Sequence, residues 1–145
     1  MDKYNLNRFI EAQVHSYESA MGELSRGRKS GHWIWYIFPQ IVGLGSSDIT
    51  KLYSIKSIEE AQAYLEHPVL GERLIESCEI LLRLEDFSIS EIMGFPDDLK
   101  LKSSMTLFAQ VSPQSSIFSE VLSKYYEDDL DQTSLEIIKR MKENN

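Results

Sequence analysis

Apolar residues in this chain recur every three or four positions along most of its length, and that spacing limits what it can fold into. Leu6, Phe9, Ile10, Val14, Tyr17, Met21 and Leu24 mark one such face near the N-terminus. A stripe with this period buries one side of an α-helix and leaves the other to water. Asn5 or Asn7 is placed to cap its start, and Gly27 lies just past its end, where a left-handed residue closes a helix. Ser57-Ile58-Glu59-Glu60 has the pattern of a capping box and opens a short helix. That helix must stop near His67, because the residue before a proline is pushed out of the α region. Pro68 suits the first position of the next helix, whose apolar face carries Val69, Leu70, Leu74, Ile75, Cys78, Leu81 and Leu82.

The pattern continues to the C-terminus. Ser88-Ile89-Ser90-Glu91 is a second capping-box pattern, for a short turn ending at Gly94. Pro96-Asp97-Asp98 starts a helix running through Leu101, Met105 and Phe108, with its acids at the positive end of the helix dipole. Ile117, Phe118, Val121, Leu122 and Tyr125 form another face, and Leu135, Ile137, Ile138 and Met141 the last. Only Trp33 to Phe38 gathers β-branched and aromatic residues in strand fashion. It is apolar all round, so it is expected to be buried whether helix or strand. The expected fold is all-α, a compact single domain of six to eight helices over residues 1–145, with one short strand pair at most. Its length fits one domain, and no repeat or linker interrupts it.

Charge excludes some functions. Fifteen Lys+Arg stand against 23 Asp+Glu, a net of -8, which argues against binding to a nucleic-acid duplex. The run Trp33 to Phe38 is far short of the ~20 apolar residues that span a bilayer, so no membrane insertion is expected. The N-terminus lacks an apolar signal region, and a cytoplasmic home is the expectation. The single cysteine, Cys78, excludes an intrachain disulfide and a thiolate cluster, and its helical neighbours mark it as a small buried hydrophobe. His15, His32 and His67 show no metal-ligand spacing, and no metal or cofactor is expected. His15 falls off the apolar stripe, and His67 is placed to occupy a helix cap.

Three blocks stand apart from this scaffold. Residues 1–40 carry a net charge of +1 and residues 41–145 a net of -9, and the one basic cluster is Arg26-Arg28-Lys29. It precedes an aromatic run, and cations beside aromatic rings suit an anion with a planar group attached. Arg28 and Lys29 are the candidates for anion binding, and Trp33, Trp35 and Phe38 for pocket walls. Gln40 is a candidate hydrogen-bond donor, and His32 a candidate acid or base. The second block, Gly43-Leu44-Gly45-Ser46-Ser47-Asp48, fits either an anion-binding turn or a capped loop. In the third, Lys100 to Phe108, Lys102, Ser103 and Ser104 either line a polar pocket or allow close helix contacts, since small residues let backbones approach.

The blocks Gly27-Arg28-Lys29, His32 to Gln40, Gly43 to Ser47, Tyr53-Ser54-Ile55, Glu60 to Leu74 and Asp98 to Phe108 together resemble the bacterial family called domain of unknown function 1810, some of whose members are mislabelled calpastatin. The resemblance covers nearly the whole chain and implies a mostly helical single domain, with no established activity. One departure is Glu127-Asp128 after Tyr125-Tyr126, where the family often has a Gly-Gly-type turn. The block 61–74, with its His-Pro-x-Leu, loosely resembles a segment of the ADP-ribose N-glycosidases. Two functions follow as expectations. One is binding or hydrolysis of a small anionic, nucleotide- or ADP-ribose-like molecule, which as an enzyme would be a hydrolase such as an N-glycosidase. The other is a non-catalytic helical interaction module whose acidic surface meets a basic partner. Oligomeric state has no signal in the sequence.

Overall fold

A computed structural model describes residues 1–144. Ten helices follow one another: α1 (Asn7–Gln13), α2 (Tyr17–Ser25), α3 (Ile34–Ile37), α4 (Asp48–Tyr53), α5 (Ile58–Glu66), α6 (Leu70–Arg83), α7 (Ile89–Met93), α8 (Asp97–Gln110), α9 (Ile117–Tyr126) and α10 (Gln132–Glu143). Among the described residues there is no strand, only an isolated parallel bridge between Ile41 and Ile55. No helix among them is long and apolar enough to cross a membrane. The all-α expectation holds, and the count exceeds six to eight for three physical reasons, the first being α4, which the Ser47 hydroxyl caps. The expected helix over residues 6–24 breaks at Val14–Ser16, where the Ser16 hydroxyl donates to the Ala12 carbonyl at 2.8 Å and competes with the helical ladder. Trp33–Phe38 is a single helical turn rather than a strand.

Most caps follow the sequence, but the first does not: Asp2, rather than Asn5 or Asn7, accepts the Leu6 and Asn7 N–H groups at 2.7 and 2.8 Å. After α2, the Gly27 N–H donates to the Leu24 carbonyl at 2.9 Å and the Arg28 N–H to the Glu23 carbonyl at 3.0 Å. This is a Schellman closure, with Gly27 at φ +72. His67 Nδ1 accepts from the Val69 and Leu70 N–H groups at 3.1 and 3.2 Å, so it caps the start of α6. The Gly71 N–H reaches back to the His67 carbonyl, which places Pro68 in the first turn. Gly71 has to be small, because a Cβ there would lie 2.0 Å from the Leu65 carbonyl oxygen. The box at Ser88–Glu91 is complete. The one at Ser57 is half made: the Ser57 hydroxyl accepts from the Glu60 N–H, and the Glu60 carboxylate turns instead to Arg8 and the Lys56 N–H.

Helix α8 lies at the centre, packed against α9, α10, α7 and α3, while α6 joins α9, α5 and α2. An aromatic spine crosses the core from Phe9 to Tyr64 to Phe108 to Phe118, with ring centroids 5.1, 5.5 and 5.6 Å apart. Arg8 ties the N-terminus to the middle of the chain. Its five N–H donors reach the carbonyls of Tyr4, Asn5, Leu52 and Ser54 and the Glu60 carboxylate. The end of α6 is closed from α9, where Lys124 Nζ and the Tyr125 hydroxyl take the carbonyls of Leu81, Leu82 and Leu84.

The family departure has a visible cost. Glu127 and Asp128 sit at φ +53 and +64, a region that favours glycine. Glu127→Gly is therefore expected to stabilise the protein by about 1 kcal/mol, after glycine's greater unfolded-state freedom is subtracted. Urea denaturation checks this. Glu127→Ala removes the charge but keeps the strain, and should recover less.

Candidate functional site

A cleft of about 280 Å³ opens between the Gly43–Ser47 loop and α4 on one side and α8 with the start of α10 on the other. Gln40, Thr50, Leu99, Lys100, Ser103 and Asp131 contribute to its lining. Each is held by local chemistry. The Gln40 backbone is fixed by the bridge, its carbonyl accepting from the Ile55 N–H at 2.8 Å. The Ser47 hydroxyl caps α4 by accepting from the Thr50 N–H at 3.2 Å, which seats Thr50 beside Gly45. Ser103 Oγ donates to the Leu99 carbonyl at 3.1 Å. Asp131 Oδ2 accepts from the Ser134 N–H and hydroxyl at 2.9 and 2.6 Å, capping α10.

Among the described residues, Lys100 is the one cation in the cleft lining, and Asp131 the one carboxylate. Asp97 Oδ2 lies 2.6 Å from Lys29 Nζ, while Lys100 Nζ stands 3.6 Å from Oδ1. Two ammonium groups thus share one carboxylate, and the closer one, Lys29, is buried. Lys29 also donates to the Gly31 carbonyl and lies 4.9 Å from the Trp33 ring centroid. Lys100 stands 5.1 Å from the Trp35 ring centroid and lines the cleft.

One carboxylate organises the segment before α3. Glu23 Oε1 accepts the N–H groups of Ser30 and Gly31 at 2.8 Å each and the Trp33 indole N–H at 2.9 Å. Burial alone pushes the Glu23 carboxyl up. The donors of Gly31, Ser30 and Trp33 outweigh it and hold the group below its ordinary value.

All three blocks singled out in the sequence reach the cleft: Gln40 from the first, Leu44 and Gly45 from the second, and Lys100 and Ser103 from the third. Trp35 is half-buried beneath Lys100. The other candidates lie elsewhere. Arg28 and His32 are exposed and outside the lining. Lys29 is occupied by Asp97, and Lys102 by Asp129 at 2.5 Å. Trp33 and Phe38 belong to the core, at 2% and 0% exposure. Ser104 is fully buried, and its hydroxyl has no hydrogen-bond partner. Thr50, Asp131 and Thr133 are polar lining residues that sequence reasoning did not select, and Lys100 lay in the third block without being named as a ligand contact. The spacing of Asp97 and Lys100, three apart on one helix, was the available signal.

Cys78 is fully buried, with its Sγ 3.6 Å from Met105 Sδ, and burial pushes its thiol pKa well up. Among the described residues no group of three or more His, Cys, Asp or Glu side chains gathers in a way that could hold a metal ion.

The family described as Protein of unknown function (DUF1810) matches residues 3–138. The crystal structure of the conserved hypothetical protein Rv1873 from Mycobacterium tuberculosis is similar at 47% identity and a TM-score of 0.93, covering 95% of this chain and 99% of that one. No curated protein matches the chain.

Two measurements check these roles. Ser104→Ala removes a buried hydroxyl without a partner, so stability is expected to hold or rise by up to about 1 kcal/mol in chemical denaturation. Glu23, with its folded pKa depressed, contributes stability that is complete above its unfolded pKa and lost as pH falls through the folded one. The urea midpoint of the wild type should therefore drop below about pH 5, and Glu23→Gln should flatten that drop while lowering the midpoint at pH 7.

Proposed function

The chain belongs to the DUF1810 family, and from that premise we propose that it binds a small anionic molecule in the cleft between the glycine loop and α8. The observation that carries this reading is Lys100. Its ammonium stands in the cleft over an indole, beside a carboxylate that Lys29 already holds more closely. The body around it is strongly acidic, and among the described residues Lys100 is the one cation in the cleft lining, with Asp131 the one carboxylate. Gln40, Thr50 and Ser103 supply polar groups with which a ligand can be oriented, and Leu44, Pro96 and Leu99 supply apolar surface.

Size narrows the class. A volume of about 280 Å³ lies at the low end of ligand cavities and favours a molecule of mononucleotide size or smaller over ADP-ribose. The reading is of binding. His32 lies outside the lining, and Asp131 already caps α10 through Oδ2. The interaction-module reading draws support from Phe95 and Leu99, which are 81% and 50% exposed at the edge of α8.

Thermal shift against inorganic phosphate and the nucleoside monophosphates tests the cleft. A ligand at 100 times its Kd should add about 2.7 kcal/mol and raise Tm by several degrees. Lys100→Met should abolish the shift, while Arg28→Ala should leave it unchanged. If no anion raises Tm, or if Lys100→Met responds as the wild type does, the reading fails. Concentration-dependent self-association or partner capture lost on Phe95→Ser would then favour the module.

A further inference from the structure

A second cavity lies on another face of the molecule, where α1 and α2 meet α6. Its volume is about 490 Å³, and Gln13, His15, Tyr17, Glu18, Arg73 and Glu76 contribute to its lining. It shares no residue with the cleft described above. Its floor and its mouth carry opposite charge. At the floor, Arg73 lies with its guanidinium carbon 4.7 Å from the Tyr17 ring centroid and donates to Gln13 Oε1 at 3.1 Å. Gln13 is buried, and its own amide donates to the Tyr36 carbonyl at 2.7 Å, so this contact is braced from behind. Arg73 is half-buried and makes no ion pair among the described residues. The Tyr17 hydroxyl is buried and has no hydrogen-bond partner. Burial first, and then the Glu76 carboxylate that the hydroxyl faces, hold that phenol protonated well above its ordinary range.

At the mouth, Glu18 and Glu76 are both exposed, Glu76 reaching toward the Tyr17 hydroxyl, and neither forms an ion pair among the described residues. His15 is exposed beside them. These three do not gather around a position that could hold a metal ion. A plain anion is disfavoured by the two carboxylates, and a plain cation leaves the floor donors unused. Arg73 and Glu76 are three apart on one helix, so they stand as side-chain neighbours.

We propose that this cavity binds a small zwitterion of the α-amino-acid type. Its carboxylate takes the free guanidinium donors of Arg73 and the Tyr17 hydroxyl, and its ammonium faces Glu18 and Glu76. A ligand whose opposite charges lie a few bonds apart matches a cavity lined by one unpaired guanidinium and two carboxylates.

Amide NMR of the full chain, titrated with each of the L-α-amino acids, tests this. At least one is expected to shift the amides of residues 13–21 and 73–77 saturably. The carboxamide of that amino acid, and its analogue without the amino group, should each bind about tenfold more weakly or worse. Arg73→Met should abolish binding. Because that variant also loses a contact within the fold, Tyr17→Phe and Glu18→Gln are the sharper tests. Tyr17→Phe should weaken binding about fivefold or more while Tm holds or rises, since the hydroxyl it removes has no partner. Glu18→Gln, at an exposed position, should weaken binding of the amino acid but not of its deaminated analogue. The proposal is overturned if no amino acid moves those amides, if the deaminated analogue binds as tightly as its parent, or if Tyr17→Phe binds as the wild type does.

Discussion

Helix α8 buries Leu101 and the whole run from Ser103 to Phe108, and a helix covered on several sides must satisfy nearly every polar group it carries, the Ser104 hydroxyl being the exception here. It does so largely within itself. Ser103 donates to Leu99 and Thr106 to Lys102, each to a carbonyl one turn back. On α6, Ser77 does the same with Arg73. A hydroxyl bonded in this way asks nothing of neighbouring helices, so they can pack closely on small side chains. Thr106 goes further, and its Oγ1 accepts the Asp131 N–H at 2.9 Å. That bond fixes where α10 begins, and so brings Asp131 to the cleft that Lys100 and Ser103 reach from α8 itself.

This arrangement explains what was legible in the sequence. Period and caps act over a few residues, and they held: Gly27, His67, Ser88 and Pro68 occupy the positions their chemistry suits. The all-helical class follows from the same local signals. What stayed hidden depends on partners far along the chain. A serine donating within its own helix and one lining a cleft look alike in sequence, so Ser103 and Ser104 could not be told apart, although one lines the cleft and the other is sealed in the core. Gln13, with bonds to Tyr36 and Arg73, gave no signal at all. Trp33 and Phe38 were expected to be buried, yet that expectation and a role as pocket walls pull in opposite directions, and they lie in the core.

Cations here serve mainly as fasteners. Lys29 ties the segment after α2 to α8, Lys102 ties α8 to the turn before α10, and Lys124 closes the end of α6. Such pairs add little where they are exposed, but Lys29 and Arg8 are shielded, and losing either would strand a buried carboxylate or open several carbonyls. Lys100 and Arg73 are the cations that line the two cavities described above.

Arg8 carries a consequence for the order in which the chain gains structure. Helix α1 has seven residues, well under the roughly 12–15 needed for a helix to persist alone in water. What holds it is a guanidinium whose acceptors at Leu52, Ser54 and Glu60 are supplied by chain 44 to 52 residues away. Those acceptors converge only once the end of α4 and the start of α5 are in place. The N-terminus therefore docks onto a framework already assembled downstream, and a nascent chain leaving the ribosome would carry its first helix unformed until well beyond residue 60 had emerged.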